Sequence, residues 1–411
     1  MSEVNLKTSP VERVKKLEPV VVEGSSVHPD VLTPDIKVLH VYRTYYPDTQ
    51  GGLEEVIRQI CMNSRGLGIK SKVLMLTSET GRKVVRLPEA QVYRSKLSFE
   101  VASCGVSLEA FGMFKKLADW ADLIHYHFPW PFADVLHFAS RINKPTVLTY
   151  HSDIVRQRVL GAIYFPLMHK FLDAMDSIVC TSPNYFATSE VLARHSSNVD
   201  IIPIGINESS YSEPTEEQLA EVRDEFGEDF FLFVGVLRYY KGLHILLDAV
   251  KGAPYKVVVA GSGPTEKELI KQARVHGINN IVFTGYVPNW KKNAMFKLCR
   301  GVVFPSYLRA EAFGVTLLEG SMFGKPLIST EVGSGTSHVN VHDQTGIVIP
   351  PGSARAMRQA MDRLWAHPDL AEHMGKKARK RYEQLFTGEL MGIRYAHVYR
   401  EVASASQRQS Q

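Results

Sequence analysis

Two glutamates stand eight positions apart in Glu311-Ala312-Phe313-Gly314-Val315-Thr316-Leu317-Leu318-Glu319, just after a short apolar run ending at Phe304. If both lay on one helix they would be separated by roughly 12 Å along its axis and about 80° around it. Two carboxylates flanking one scissile bond stand about 5–9.5 Å apart, so this spacing suits the two ends of one long ligand. A nucleotide-sugar has that shape, with one carboxylate at the sugar and the other at the ribose hydroxyls. Gly314 marks the first turn of the expected helix, whose free amides and positive dipole end would face the phosphates in between. Phe313 and Val315 flank it in the same donor-binding turn. Glu319 follows the apolar Val315, Leu317 and Leu318 and precedes small residues, the pattern of a half-buried face. An unpaired buried carboxylate is costly, so Glu319 needs a ligand or a partner. The competing reading is two ordinary acids on a solvated helix.

Other residues offer complementary chemistry. Arg238 and Lys241 lie in Gly235-Val236-Leu237-Arg238-Tyr239-Tyr240-Lys241-Gly242, directly after an apolar strand. Two cations in such a loop suit a diphosphate, arginine binding bidentately and lysine as a point charge. They would stabilise the charge that grows on a departing nucleotide. The alternative is a pair of surface charges. Gly51-Gly52 opens a helix after Tyr45-Tyr46-Pro47-Asp48-Thr49-Gln50, where glycine permits close backbone approach to an anion or simply makes a turn. Gly261-Ser262-Gly263-Pro264 follows another strand, and Gly263 could line a nucleotide site, with Pro264 in the first helical turn. Neither segment is a G-x-G-x-x-G fingerprint.

His125, His127 and His151 end two neighbouring strands. His-x-His could hold a metal, but no third ligand is spaced nearby, so no metal is assigned. Tyr150-His151-Ser152-Asp153 is better placed to bond sugar hydroxyls. No G-x-S-x-G elbow and no P-loop occur.

The elements that must position these groups are legible from the pattern. The chain has 411 residues, 45% hydrophobic and 22% charged, with a net charge of +5. That describes an ordinary α/β-sized soluble protein of two or three domains, and the mild positive charge permits contact with anionic substrates or surfaces. Cys61, Cys104, Cys180 and Cys299 are far apart and form no C-x-x-C, which fits a reducing cytoplasmic compartment. Neither a signal peptide nor an apolar run of the roughly 20 residues needed to span a membrane is visible. Any membrane contact is therefore expected to be peripheral, on the inner face of the plasma membrane.

Strands are expected at Ile36–Val41, Lys72–Leu76, Leu123–His127, Thr146–Tyr150, Ser177–Cys180 and Val199–Ile202. A second set is expected at Phe230–Val234, Lys256–Ala260, Ile281–Phe283, Gly301–Phe304, Leu327–Thr330 and Ile347–Ile349. Helical stretches between them, such as Leu53, Val56, Ile57 and Ile60, signal parallel sheets with crossover helices. The pattern restarts near Phe230, after a segment rich in Glu, Ser and Pro. The expected organisation is a flexible arm over 1–35, a doubly wound domain over 36–204, a second over 205–385, and a last helix with a frayed tail over 386–411. Ligands in such sheets bind at the carboxyl ends of strands, and two facing domains would enclose a cleft. Lys376 to Arg381 is a basic run on a helix, either a solvated face or a contact for anionic lipid.

Assembled, these motifs resemble the retaining glycosyltransferases of family 4, over nearly all of Lys37 to Tyr399. The carriers are the loop Gly235–Gly242, the turn Gly261–Pro264, Phe283-Thr284-Gly285-Tyr286-Val287, and Glu311–Glu319. Phe233-Val234-Gly235-Val236-Leu237-Arg238 and Thr149-Tyr150-His151-Ser152-Asp153 narrow the resemblance to bacterial mannosyl- and rhamnosyltransferases of O-antigen and exopolysaccharide assembly.

The resemblance implies a GT-B fold, two Rossmann-like domains facing across a cleft, and a nucleotide-sugar donor, GDP-linked, with a lipid-linked or growing polysaccharide acceptor. It further implies that Glu311 positions the donor sugar, Glu319 binds the ribose, Lys241 and an arginine hold the diphosphate, and His151 contacts the sugar. Gly51 and Gly52 would cover the phosphates, and no metal or other cofactor would be needed. The chain departs from the family pattern at Val236, where arginine is usual, and at Thr336-Ser337-His338-Val339. Arg238 is the candidate replacement. The rival readings are a UDP-sugar transferase, epimerase or phosphorylase on the same fold, and a non-catalytic nucleotide-sugar-binding scaffold.

Overall fold

Continuous apolar runs four to six residues long suit strands buried on both faces, and the chain uses them to build two parallel sheets. The computed structural model describes residues 35–101, 104–154 and 158–409. Of the expected arm over 1–35, all but Asp35 lies outside the described residues. By internal contact the chain forms two compact units, one of residues 1–203 with 391–411 and one of Ile204–Leu390.

In the first unit, β1 (Ile36–Val41), β2 (Ile69–Thr77), β3 (Val84–Arg86), β4 (Gln91–Lys96), β7 (Leu123–Phe128), β8 (Thr146–Tyr150), β9 (Ser177–Cys180) and β10 (Val199–Ile201) form one sheet, while β5 (Phe99–Val101) and β6 (Cys104–Val106) make a separate hairpin. The strand order is β10-β9-β8-β7-β1-β2-β4-β3, parallel except at the β3–β4 edge. The order reverses between β1 and β7.

The second unit holds β11 (Phe231–Val234), β12 (Val257–Ala260), β13 (Ile281–Gly285), β14 (Gly301–Phe304), β15 (Leu327–Thr330) and β16 (Gly346–Ile349). Their order, β13-β12-β11-β14-β15-β16, is wholly parallel. Renumbered within the unit this is 3-2-1-4-5-6, the dinucleotide-binding order, with its switch point between β11 and β14. Phe231, Phe233, Val259, Ile328, Met357 and Met361 sit in the buried core of this unit.

Five helices matter below: α1 (Gly52–Arg65), α2 (Asn289–Leu298), α3 (Val315–Met322), α4 (Pro368–Leu385) and α5 (Gly388–Gln409). Two expectations need correction here. The tail expected at the close of 386–411 is helical over its described part, since α5 continues to Gln409. Pro264 is not in a first helical turn, since the following helix starts at Glu266 with Thr265 as its cap. From Met391 onward α5 belongs to the first unit, where Tyr395 and Tyr399 are buried. The basic run lies on α4, with Lys376 paired to Glu372 and Arg379 to Glu208 and Glu383. Among the described residues, no helix is long and apolar enough to cross a membrane.

Candidate active site

The loop after β11 is forced into place by glycine. Gly242 has φ 69°, and a Cβ there would lie 2.1 Å from the carbonyl oxygen of Pro305. Only glycine lets this loop rest against the end of β14. The consequence is Lys241, whose Nζ stands 2.5 Å from Glu311 Oε2 and 4.6 Å from the centre of the Phe304 ring. Ser306 Oγ donates to the same carboxylate oxygen at 2.9 Å. Lys241 and Glu311 are nearly buried, their side chains 11% and 9% exposed. Such a pair needs both partners, because a lone buried charge is severely penalised. It sits beside the switch point of the second sheet, where ligands of doubly wound folds bind.

Glu311 does not lie on the helix with Glu319. It belongs to the loop after β14, and α3 begins only at Val315. The straight-helix separation therefore does not apply to the pair. Gly314 caps α3 with φ 90°, no side chain caps its first amides, and no acid lies in its first turn. This helix start is open to an anion. Phe313 is buried against Phe386, and Val315 is half-buried. Glu319, also buried, accepts from Lys292 Nζ of α2 at 2.6 Å. Lys292 was missed by sequence reasoning, since nothing in a polar helix 27 residues away marks it as the partner that Glu319 requires.

Arg238 is exposed and makes no side-chain bond among the described residues, whereas Leu237 beside it is buried and Val236 is exposed. The backbone N–H of Arg238 bonds the carbonyl of Val236 at 2.9 Å, a tight turn that presents both side chains outward. Gly263 has a structural duty: a Cβ there would strike Leu237 backbone atoms at 2.5 and 2.6 Å. Gly261 is equally confined, with Gly235 O 2.1 Å from its would-be Cβ. The loops after β11 and β12 are thereby sewn together, with Leu237 N–H donating to Ser262 O and Thr265 Oγ1 to Leu237 O.

In the first unit, Gly51 caps α1 in ordinary extended backbone. Glu54 and Glu55 occupy the first turn, and Glu54 Oε2 lies 2.7 Å from where a Gly51 Cβ would stand. This helix start already faces a carboxylate, unlike that of α3. Tyr150 and Asp153 are tied to each other at 2.8 Å, and Asp153 also accepts from Ser189 Oγ, so these two brace the loop around His151.

The histidines are joined, and His40 is the third potential ligand that sequence spacing did not show near His125 and His127. His40 of β1 is a register partner of His125 on β7, and His40, His125 and His127 each bring one ring nitrogen within 4.8 Å of the others. His40 Nδ1 is 3.1 Å from His127 Nε2, and His127 Nδ1 is 3.1 Å from His151 Nε2. His125 binds Tyr399 Oη at 2.8 Å and Thr149 Oγ1 at 2.7 Å, and Thr149 in turn meets Tyr395 Oη at 2.9 Å. All four imidazoles are buried, and burial keeps them neutral: His40 and His151 are pushed down to about 3, and His125 and His127 lie well below the ordinary value. Both ring nitrogens of His125 and His127 are already bonded, so a metal would have to break those bonds. His40 was invisible as a partner because only sheet register brings β1 against β7.

With this geometry in view, the chain compares as follows. Residues 50–210 match the family described as Glycosyltransferase Family 4, and residues 215–381 match Glycosyl transferases group 1. The chain is 50% identical over 352 residues to the D-rhamnosyltransferase WbpZ of Pseudomonas aeruginosa, covering 86% of this chain and 92% of that protein. It is 44% identical over 364 residues to O-antigen chain mannosyltransferase C of Escherichia coli, covering 89% and 98%. Its fold is similar to sucrose-phosphate synthase from Thermosynechococcus elongatus, with TM-score 0.74 and 21% identity over 90% of this chain and all (100%) of that one. It is also similar to Anabaena HepE in complex with UDP and glucose, with TM-score 0.70 and 16% identity over 89% and 100%.

Proposed function

This chain belongs to the family 4 glycosyltransferases and has their GT-B fold, and from that premise we propose that it moves a mannosyl or rhamnosyl unit from a GDP-sugar to a lipid-linked or growing polysaccharide, with retention at the anomeric carbon. The product is a cell-surface glycan of the O-antigen or exopolysaccharide kind. The D-rhamnosyltransferase and O-antigen mannosyltransferase relatives support the sugar class and the O-antigen setting.

The observation that carries the reading is the Lys241–Glu311 pair beside the β11/β14 switch point. Lysine has three donors, so Lys241 can hold Glu311 and still offer N–H groups to a diphosphate. Exposed Arg238 supplies a second cation without leaving any bond in the fold. The uncapped start of α3 adds backbone amides. These three features support a diphosphate site that needs no metal. Glu311 then stands where the sugar would follow the phosphate, and Glu319, once Lys292 yields or shares it, is the ribose ligand. The acceptor oxygen forms a bond to the anomeric carbon on the face from which the phosphate departs. The leaving phosphate oxygen takes the acceptor's proton, and the fixed cations stabilise its charge. The reaction takes place in the cytoplasm, with peripheral attachment to the inner membrane face where the lipid-linked acceptor lies.

The test is product analysis by mass spectrometry with GDP-, UDP- and dTDP-sugars against lipid-linked acceptors, with and without a chelator. Transfer from a GDP-sugar, insensitive to chelation and abolished in Glu311→Ala, is the expected result. Full turnover in Glu311→Ala overturns the role of that carboxylate. Donor conversion without an acceptor would mark an epimerase instead.

A further inference from the structure

The imidazoles His40, His127 and His151 form an unbranched line. His40 and His127 have ring centres 5.4 Å apart and planes 19° apart, and His127 and His151 have 5.4 Å and 22°. With facing nitrogens only 3.1 Å apart in both cases, the rings meet end to end rather than face to face. Each ring is neutral, so each has one N–H and one bare nitrogen. The line therefore has a direction, and fixing one end fixes the other.

The far end decides the direction. His40 Nε2 is fully buried and finds no partner among the described residues. A proton there would be an orphaned buried donor, which folded proteins almost never leave. The bare nitrogen sits there instead, so the proton of His40 is on Nδ1 and is donated to His127 Nε2. His127 must then have its own proton on Nδ1, donated to His151 Nε2. His151 is left with its proton on Nδ1. That atom lies one residue past the end of β8 and has no side-chain partner among the described residues.

We propose that His40 and His127 are positioning residues which set the tautomer of His151, so that the loop directly after β8 holds a neutral imidazole offering an Nδ1–H donor to a substrate hydroxyl oxygen at the carboxyl end of the first sheet. This deepens the functional reading and rests on it, because a sugar or glycan substrate supplies such a hydroxyl. His125 is a separate branch: its two nitrogens are taken by Tyr399 and Thr149, so it anchors α5 and does not interrupt the line. The arrangement is the general device by which an outer hydrogen bond selects the working nitrogen of a histidine.

The experiment is a long-range nitrogen–proton correlation spectrum of the histidine rings in unliganded, nitrogen-15-labelled full-length protein near neutral pH, with the His151 signals identified by their loss in His151→Gln. The expected wild-type result is His151 as the Nδ1–H tautomer. His40→Phe removes the first donor, and His151 then becomes a mixture of tautomers while kcat/KM for transfer falls about tenfold or more, the usual cost of removing a histidine's orienting partner. His40→Asn returns an N–H donor to the same place and recovers both the tautomer and most of the rate. A merely structural role for His40 would not move the tautomer in one variant and return it in the other. An Nε2–H tautomer in the wild type overturns the proposal, and that spectrum is decisive even if His40→Phe does not fold. So does a His151 tautomer unchanged in a folded His40→Phe. If the tautomers behave as expected and the wild type transfers no sugar, the relay stands and the functional reading falls.

Discussion

The two sheets carry opposite chemistry at equivalent places. At the β1/β7 switch point of the first unit stand neutral imidazoles, bonded to one another and to buried hydroxyls. At the β11/β14 switch point of the second unit stands a lysine–glutamate pair. Neutral groups can be buried completely if their hydrogen bonds are made, and they give direction rather than strength. Ions at an edge of slight exposure give strength, but each depends on its partner remaining. One topology thus supplies an orienting network in one unit and an electrostatic one in the other.

Acid should break that contrast most strongly. In the unfolded chain each imidazole takes up a proton near its ordinary pKa of about 6.5, whereas in the fold His40 and His151 resist protonation down to about 3. Unfolded chains therefore bind more protons below pH 6.5, so the contribution of these groups is intact above that pH and is lost as pH falls towards 3. Each buried imidazole should cost more than about 1 kcal/mol per pH unit in that window. Hydrogen exchange followed from pH 7 to 5 should show the β1, β7 and β8 amides losing protection before those of β11 and β14. Equal loss in both sheets would erase the distinction.

Next in size is Lys241→Ala, which should lower kcat about 100- to 1000-fold, the scale of removing one transition-state charge partner, and weaken diphosphate binding in calorimetry. Unchanged donor affinity and rate would count against an electrostatic site. Gly242→Ala should follow. The methyl meets the Pro305 carbonyl and the backbone must leave φ 69°, so a loss of about 1–3 kcal/mol in urea unfolding is expected, together with reduced activity from a displaced Lys241. The smallest effect on turnover belongs to Lys292→Ala. It leaves Glu319, whose side chain is only 7% exposed, without its cation, so it should lower stability by about 3 kcal/mol and alter KM for the donor more than kcat.

Much of this was readable from the chain, for identifiable reasons. Every strand expected in the two sheets is present, because strands buried on both faces are mostly apolar, and runs such as Gly301–Phe304 and Val257–Ala260 mark them plainly. Gln91–Lys96 went unseen because β4 is polar, half-buried and closed by a short antiparallel edge. Its Arg94 is held by Asp48, 46 residues away. Residue type marked Glu311, Glu319 and Lys241, and the structure joins Lys241 to Glu311. Other partners were not marked: Lys292 reaches Glu319 across a helix pair, and His40 reaches His127 across 87 residues. Local pattern reports which face a residue occupies, and only register reports what it meets there. The start of α3 shows a further limit, since the left-handed Gly314 ends the loop before the helix and separates two glutamates that the spacing alone would place on one axis.

The packing of Gly261 against Gly235 and of Gly263 against the Leu237 backbone has a practical consequence for anyone wishing to retune this enzyme. A mutagenic library spread evenly over the two loops would waste many of its members, because Gly242, Gly261 and Gly263 have no room for a side chain and Gly235 holds a φ of 148°. Variation concentrated on the outward-facing Val236, Arg238 and Tyr239 leaves the seam untouched and reshapes only what a donor could meet.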